Sequence, residues 1–127
     1  MPADSETRMI EMIFPEQANH YGTLFGGHAL ALMAKAAFVA ASRHANTSVV
    51  MARSERVDFT TPIKVGEMLE LVARVSRTGR SSMTVEVQGT ARSIGSGASA
   101  RTALSGAFEM VAVDAEGRPR PVGPEVS

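Results

Sequence analysis

The chain has 127 residues and a mass of 13.4 kDa, which predicts a single domain over residues 1–127 with loose ends at residues 1–7 and 120–127. Thirteen basic and thirteen acidic side chains cancel, so neither nucleic acid nor an anionic membrane is favoured as a partner. The absence of cysteine excludes thiol nucleophiles and thiolate metal sites. Because acids stand where a signal peptide carries basic residues, we expect a cytoplasmic protein that does not span a membrane.

The predicted elements are one strand, one long helix and four further strands. The segment "RMIEMIF", residues 8–14, predicts the first strand, which Pro15 ends. Apolar residues at three- and four-residue spacing predict a helix from about Gly27 to Ala45, and because it is apolar nearly all round, we expect other structure to wrap it. Alternating patterns predict strands at about residues 49–59, 68–77, 81–93 and 100–113, with a tight hairpin at 77–81 and a flexible turn at 94–99.

One helix and five mainly antiparallel strands predict an α+β fold in which the helix covers one face of the sheet. Such a sheet has an exposed edge strand, and a long β-branched edge favours pairing with another chain. We therefore expect a two-fold dimer that continues the sheet across its subunits.

The segment "NHYGTLFGG", residues 19–27, leads into the helix and carries the first candidate site. Gly26 and Gly27 leave backbone N–H groups uncovered at the positive end of the helix dipole, which suits a developing oxyanion. A glycine-rich connection that lets the helix approach the sheet is an equally valid interpretation. Asn19 could hold a carbonyl or a water, although an Asx turn or a cap is the commoner use of a loop asparagine.

A second candidate site lies at the predicted hairpin. Arg74, Arg77 and Arg80 place forked donors at one turn, and Ser81 and Ser82 add hydroxyls, which is chemistry suited to phosphate. Charged hairpin tips are also commonly just solvated, so both interpretations stay open.

Other site types have less support in the sequence. His20, His28 and His44 fit no metal-ligand spacing, so no metal site is predicted. Serine, histidine and aspartate do not occur in a triad-like pattern. Four large apolar side chains could line a tunnel, although core packing is the better expectation for each; they are Met33, Phe38, Met51 and Met83.

Taken in order, these motifs resemble the hot-dog-fold acyl-CoA thioesterases of the brain acyl-CoA hydrolase and bacterial short-chain acyl-CoA hydrolase type. The resemblance covers about residues 9–121 and rests on five segments: "FPEQANHYGTLFGG", "ALALMAKAAFVAASRHA", "VDFTTPIKVGE", "RTGRSSMTVEV" and "FEMVAVDAEGRPRPV". It implies a five-stranded antiparallel sheet wrapped around one long helix, dimers joined through the sheet, and dimers assembled into hexamers. It also implies an acyl-CoA ligand at the dimer interface and no cofactor, since coenzyme A is part of the substrate and product.

The resemblance also assigns roles to residues of both candidate sites. Asn19 corresponds to a catalytic or substrate-positioning asparagine, and an N–H group of Gly26 or Gly27 would polarise the thioester carbonyl. The hairpin residues that would contact the phosphates and pantetheine of coenzyme A, generally across the interface, are Arg77, Gly79, Arg80, Ser81 and Ser82.

The chain departs from the family at position 34. The family carries an aspartate fifteen residues after the loop asparagine, as general base or nucleophile, whereas this chain has Ala34. Lys35 and the alanines after it otherwise follow the pattern, so the missing acid is not a misalignment. Two accounts follow: an engineered Asp→Ala variant of an active thioesterase, which the intact remainder of the site favours, or a natural homologue that binds acyl-CoA without hydrolysing it. A hot-dog hydratase would need an Asp and His pairing that this segment lacks.

Overall fold

The computed structural model of the chain describes residues 6–95 and 99–122. The predicted loose ends and the glycine-serine turn lie partly outside these residues. The elements are β1 (Glu6–Met12), a 3-10 turn (Pro15–Gln17), α1 (Gly26–Ala45), β2 (Val49–Phe59), β3 (Met68–Thr78), β4 (Ser82–Arg92) and β5 (Arg101–Ala112). No helix of the described residues is both long enough and apolar enough to cross a bilayer.

The five strands form one antiparallel sheet in the order β1-β3-β4-β5-β2, and α1 packs on one of its faces. This confirms the predicted fold. Alternation along the central strand β4 shows why the sequence folds in this way: Met83, Val85 and Val87 are buried beneath the helix, whereas Glu86 and Gln88 face outward. The inward side chains of β3, β4 and β5 form the core with the helix.

The first strand lies two residues earlier than the sequence predicts. Thr7 is buried in β1 and the strand ends at Met12, because Pro15 begins a 3-10 turn rather than simply ending a strand. The backbone N–H of Phe14 donates to the Gln17 side chain, 3.0 Å away, which caps that turn and directs the chain away from the sheet. The other strand boundaries agree with the prediction to within one residue.

In a single chain, the sheet covers one face of the helix. One face of α1 is packed against the sheet through Met33 and six alanines, whose small side chains permit a close approach; the alanines are Ala29, Ala36, Ala37, Ala40, Ala41 and Ala45. The other face is open, with Phe38 46% exposed. A five-stranded sheet covers only one side of a helix, so the apolar side chains on the other side are exposed in a single chain.

The edge strand β2 is exposed along almost its whole length. Met51 and Val50 are each 48% exposed, so Phe38 and Met51 are not core residues, while Met33 and Met83 are fully buried as expected. Met51 lies opposite the buried Met110 of β5 and therefore faces the helix side of the sheet. Met51 of β2 and the exposed apolar side chains of α1 thus lie on the same side of the sheet, whereas Val50 points to the other face.

Candidate functional site

The loop before the helix, residues 16–25, folds as a small hairpin held by its own hydrogen bonds. Ala18 bridges Leu24, and the N–H of Phe25 donates to the carbonyl of Gln17 at 2.9 Å. Gly22 takes a positive φ of 80° at the tip, which a side chain would strain. The hairpin brings Asn19 close to the start of α1, and we call it the Asn19 loop.

The Asn19 side chain fixes the loop with only one of its two polar atoms. Its Oδ1 accepts hydrogen bonds from the N–H of Tyr21 at 2.9 Å and from the N–H and hydroxyl of Thr23, each at 3.2 Å. Within residues 6–95 and 99–122, no group accepts a hydrogen bond from Nδ2. The Asx turn and the ligand role are therefore compatible, because the turn orients the amide and leaves its N–H₂ group able to donate.

The first turn of α1 presents uncapped N–H groups. Phe25 occupies the N-cap position, where its side chain accepts no hydrogen bond, and no acidic residue lies in the first turn. A Cβ atom at Gly27 would lie 2.7 Å from the Phe25 ring, whereas Gly26 has open space around it. A side chain at Gly27 would therefore require the exposed Phe25 ring to move, whereas one at Gly26 would meet nothing within 4 Å. Both residues contribute N–H groups to the uncapped start of the helix.

A pocket of about 290 Å³ adjoins Gly26. It lies between the start of the helix, the end of β2 and the segment that follows β2, which suits a small apolar group beside the amide. Its walls are mostly apolar, with two threonines; the lining residues are Leu24, Gly26, Ala29, Phe59, Thr60, Thr61, Pro62, Ile63 and Leu104.

Position 34 lies two turns further along the helix. Ala34 is half-buried and packs against the core, whereas the following Lys35 is exposed. A methyl group can neither accept a proton nor attack a carbonyl, so this position offers no acid-base chemistry.

The Arg77 hairpin, residues 77–82, is exposed at its tip and backed by the C-terminal segment. Gly79 donates to the Ser82 carbonyl at 2.7 Å, and a side chain at Gly79 would meet the Ser82 hydroxyl at 2.9 Å. The N–H of Val122 donates to the carbonyl of Arg80 at 2.8 Å. In the described part of the chain no carboxylate lies within ion-pair distance of Arg77 or Arg80, which leaves both guanidinium groups able to bind an anion.

One chain does not bring the two candidate sites together. The Arg77 hairpin lies at the C-terminal end of α1, where Nε2 of His44 is 3.1 Å from the hydroxyl oxygen of Thr78. The Asn19 loop lies at the N-terminal end of α1. A helix of 20 residues separates these ends by about 30 Å. A ligand that contacts both sites must therefore either bind between two chains, with one site from each, or be very long.

An ion pair between the buried Glu67 and the partly exposed Arg101 was not predicted from the sequence. Glu67 is 6% exposed, and both of its carboxylate oxygens accept hydrogen bonds from the guanidinium of Arg101, at 2.7 and 3.0 Å. These hydrogen bonds hold the pKa of Glu67 at about 2, against an ordinary value of 4.5, despite the opposing effect of burial. The residues are 34 positions apart, and no local sequence pattern marks such a pair.

A larger depression of about 590 Å³ lies on the outer face of the sheet. Its arginines are already paired: Arg8 lies 2.9 Å from Glu70 of the neighbouring strand, and Arg56 lies 3.0 Å from Asp58 of the same strand. A surface of paired charges offers little to a charged ligand, so the depression near Gly26 is the better candidate. No group of histidines and acids able to hold a metal ion occurs among the residues that the structure describes.

Comparison with known proteins gives the family. Residues 21–98 match the model of the thioesterase superfamily. The "Uncharacterized acyl-CoA thioester hydrolase" of Zymomonas mobilis is 38% identical over 117 residues, which are 92% of this chain and 76% of that protein. A hexameric acyl-CoA thioesterase solved in its apo form is 37% identical, with a TM-score of 0.92 over 96% of this chain and 78% of the other.

The acyl-CoA hydrolase of Staphylococcus aureus is also similar, with 36% identity and a TM-score of 0.90 over 96% of this chain and 74% of that one. It has been solved in complex with butyryl coenzyme A, coenzyme A and coenzyme A disulfide. Its alanine variants replace an asparagine, an aspartate fifteen residues after it, and a threonine seventeen residues after the aspartate. This chain therefore belongs to the thioesterase superfamily, with the hot-dog fold and with acyl-CoA thioester hydrolases among its homologues.

Proposed function

We propose that the chain is an acyl-CoA thioesterase of the hot-dog type whose hydrolytic step is strongly impaired by Ala34. The observation that carries the proposal is the start of α1, where the open Gly26 amide and the orienting turn of Asn19 lie beside a small apolar pocket. The reaction is that of an acyl-CoA with water to give a carboxylic acid and the free thiol of coenzyme A.

Each part of the thioester has a counterpart at this site. The carbonyl oxygen gains negative charge as water adds, and the Gly26 N–H, or that of Gly27, would donate to it at the positive end of the helix. The free Nδ2 group of Asn19 would orient the carbonyl or the attacking water. The acyl group would enter the pocket of about 290 Å³. Among the described residues at this site, no group stands ready to remove the proton of the water.

The S. aureus variants support position 34 as the place of that group. Counted from Asn19, the spacing of fifteen residues between the asparagine and the aspartate leads to Ala34. Loss of a general base costs on the order of 10²–10⁴ in rate, whereas binding does not depend on proton transfer. The proposal therefore combines retained binding of acyl-CoA with weak turnover.

A second function, a binding module that does not hydrolyse acyl-CoA, is favoured by Met51. The further spacing of seventeen residues, from the aspartate to the threonine of the S. aureus enzyme, leads from Ala34 to Met51. A single engineered substitution would explain Ala34 alone, whereas a polar residue replaced by methionine needs a second change. Two such replacements are what a natural homologue without hydrolytic function would accumulate.

The geometry supports a dimer formed through β2. The start of β2 lies at the hairpin end, since Val49 pairs with Ala112, whose N–H donates to the Ser81 carbonyl. The end of β2 lies at the other end, since Phe59 and Gly26 line the same pocket. Antiparallel pairing of two β2 strands about a two-fold axis would place the hairpin of each chain beside the helix start of the other.

Such a dimer would complete the site that one chain leaves divided. The hairpin of the second copy would bring Arg77, Arg80 and Ser81 to the phosphates of coenzyme A, with Gly79 and Ser82 shaping the turn. Assembly of dimers into hexamers belongs to the same proposal and is supported by the hexameric neighbour. A cytoplasmic location is also part of the proposal and is supported by the lack of cysteine. The proposed reaction needs no cofactor.

The test is a calorimetric titration of the unmodified chain with butyryl-CoA and with free coenzyme A, while a thiol reagent follows release of coenzyme A. We expect saturable binding of both ligands and slow release. Binding of neither ligand would contradict the proposal. Rapid release would show that Ala34 does not impair the chain.

A further inference from the structure

The carboxylate of Glu67 ties together three segments that are distant in the sequence. Besides its two hydrogen bonds from Arg101, it accepts one from the N–H of Lys64 at 2.8 Å and one from the hydroxyl of Ser93 at 3.1 Å. Arg101 begins β5, Ser93 follows β4, and Lys64 belongs to the segment between β2 and β3. Four donors saturate the carboxylate, which explains how a charge can be buried there.

The same cluster holds the wall of the pocket beside Gly26. Arg101 Nη2 also donates to the carbonyl of Pro62 at 2.8 Å, so both neighbours of Ile63 are fixed. The carbonyl of Ile63 in turn accepts from the N–H of Leu24 at 2.7 Å. Pro62, Ile63 and Leu24 all line the pocket, and Leu24 is two residues from Gly26.

We propose that Glu67 and Arg101 are positioning residues that set the acyl pocket and its alignment with the Gly26 amide. This inference rests on the proposed function. Neither residue lines the pocket, so they act only through the segment 62–64 and the Asn19 loop. A second contact between these segments, from the N–H of Val65 to the carbonyl of Gly22 at 3.1 Å, makes the loop follow any shift of that wall.

The low pKa of Glu67 means that the arrangement is constant near neutral pH. The hydrogen bond with Glu67 raises the pKa of Arg101, which keeps its charge in the same range, and Lys64 meets the carboxylate only through its backbone N–H. The structure therefore assigns the pair a fixed role in shaping the pocket, without switching by pH.

Glu67→Gln keeps the shape of the side chain and replaces one acceptor oxygen with an NH₂ group that faces other donors. The matched control is Glu70→Gln, the same substitution three residues later in β3. Glu70 pairs with Arg8 at 2.9 Å on the outer face of the sheet, away from the pocket. Arg101→Lys is a second variant, which keeps the charge and loses the fork that bonds Glu67 and Pro62 together.

The measurement is the dissociation constant of coenzyme A divided by that of butyryl-CoA. Both are measured well below the unfolding temperature of each variant. Free coenzyme A lacks the acyl group, so the ratio reports the acyl pocket alone. We expect Glu67→Gln to lower this ratio about tenfold or more through weaker binding of butyryl-CoA, as one tenfold step is about 1.4 kcal/mol. Arg101→Lys should lower it less, and Glu70→Gln should leave it unchanged.

A ratio equal to that of the unmodified chain, together with a lower unfolding temperature, would show that the pair only stabilises the fold and would overturn the proposal. Should Glu67→Gln not fold, the ratio for Arg101→Lys decides in the same way. If the unmodified chain binds neither ligand, the proposed function fails, and this inference fails with it.

Discussion

The two ends of helix α1 differ in how completely one chain builds them. At the start of the helix, backbone hydrogen bonds join the Asn19 loop to the segment 60–67, and the buried Glu67 holds that segment through the N–H of Lys64. At the other end, the tip of the Arg77 hairpin is exposed and its arginines face no carboxylate among the described residues. Under the proposed function, this contrast means that the helix start would be preorganised for the thioester, whereas the hairpin would be open for a charged group and a second chain.

The largest expected effect concerns the preorganised end. In a chain that carries Ala34→Asp, Asn19→Asp should lower turnover by about 10²–10³, because it keeps the Oδ1 acceptor of the turn and loses the Nδ2 donor. Steady-state hydrolysis of butyryl-CoA and thermal unfolding are the measurements. Asn46→Gly is the control, since Asn46 ends the helix at the far side with a φ of 55°, which glycine also adopts. Turnover within threefold of the parent would rule out Asn19 as a donor to the thioester.

The next effect concerns the open side of the molecule. Val50→Lys on β2 should weaken the dimer by about tenfold to a hundredfold, because the substitution places a charge where strands of two chains would meet. Ile10→Lys is the matched control: Ile10 is 62% exposed on β1, the opposite edge of the sheet. Sedimentation velocity over a concentration series would distinguish them. If the dimers of both variants dissociate equally, or if neither dimer is weakened, the interface is not at β2.

The smallest effect is the dependence of stability on acid. Glu67 has a pKa of about 2 when folded and an ordinary value of 4.5, so its contribution is complete above about pH 4.5 and is lost as the pH falls towards 2. Arg101 is 35% exposed, and solvent weakens the pair, so we expect about 1–2 kcal/mol from this residue. The unfolding free energy of Glu67→Gln should fall less than that of the parent between these pH values. Parallel curves for the two proteins would contradict the assignment.

The fold was predictable because its signals are local. Each element is marked by a pattern within a few residues of sequence. The patterns are the alternation in β4, the turn residues Gly79 and Arg80, and the spacing of alanines in α1. The open face of α1 was not predictable from periodicity, which shows that a helix is apolar but not what covers it. The 3-10 turn at Pro15 shifted β1 because a proline can begin such a turn as readily as it ends a strand.

The candidate site was predictable only in part. The positions of Asn19 and the glycines follow from the loop sequence. That Oδ1 accepts the hydrogen bonds of the turn while Nδ2 is left to donate depends on the folded loop. The pairing of Glu67 with Arg101 arises from the arrangement of β3, β4 and β5, which brings distant residues into contact. The separation of the hairpin from the helix start is likewise a property of the topology.

The most direct measurement is hydrolysis of an acyl-CoA length series by the unmodified chain, by Ala34→Asp and by Ala31→Asp, with binding of coenzyme A esters measured in parallel. Ala31 is an exposed position three residues earlier on the same helix, so it controls for an added carboxylate. We predict that Ala34→Asp alone gains about a hundredfold or more in turnover while all three proteins bind the esters. If no variant hydrolyses any ester although all bind, position 34 is not the missing acid and the chain is a binding module.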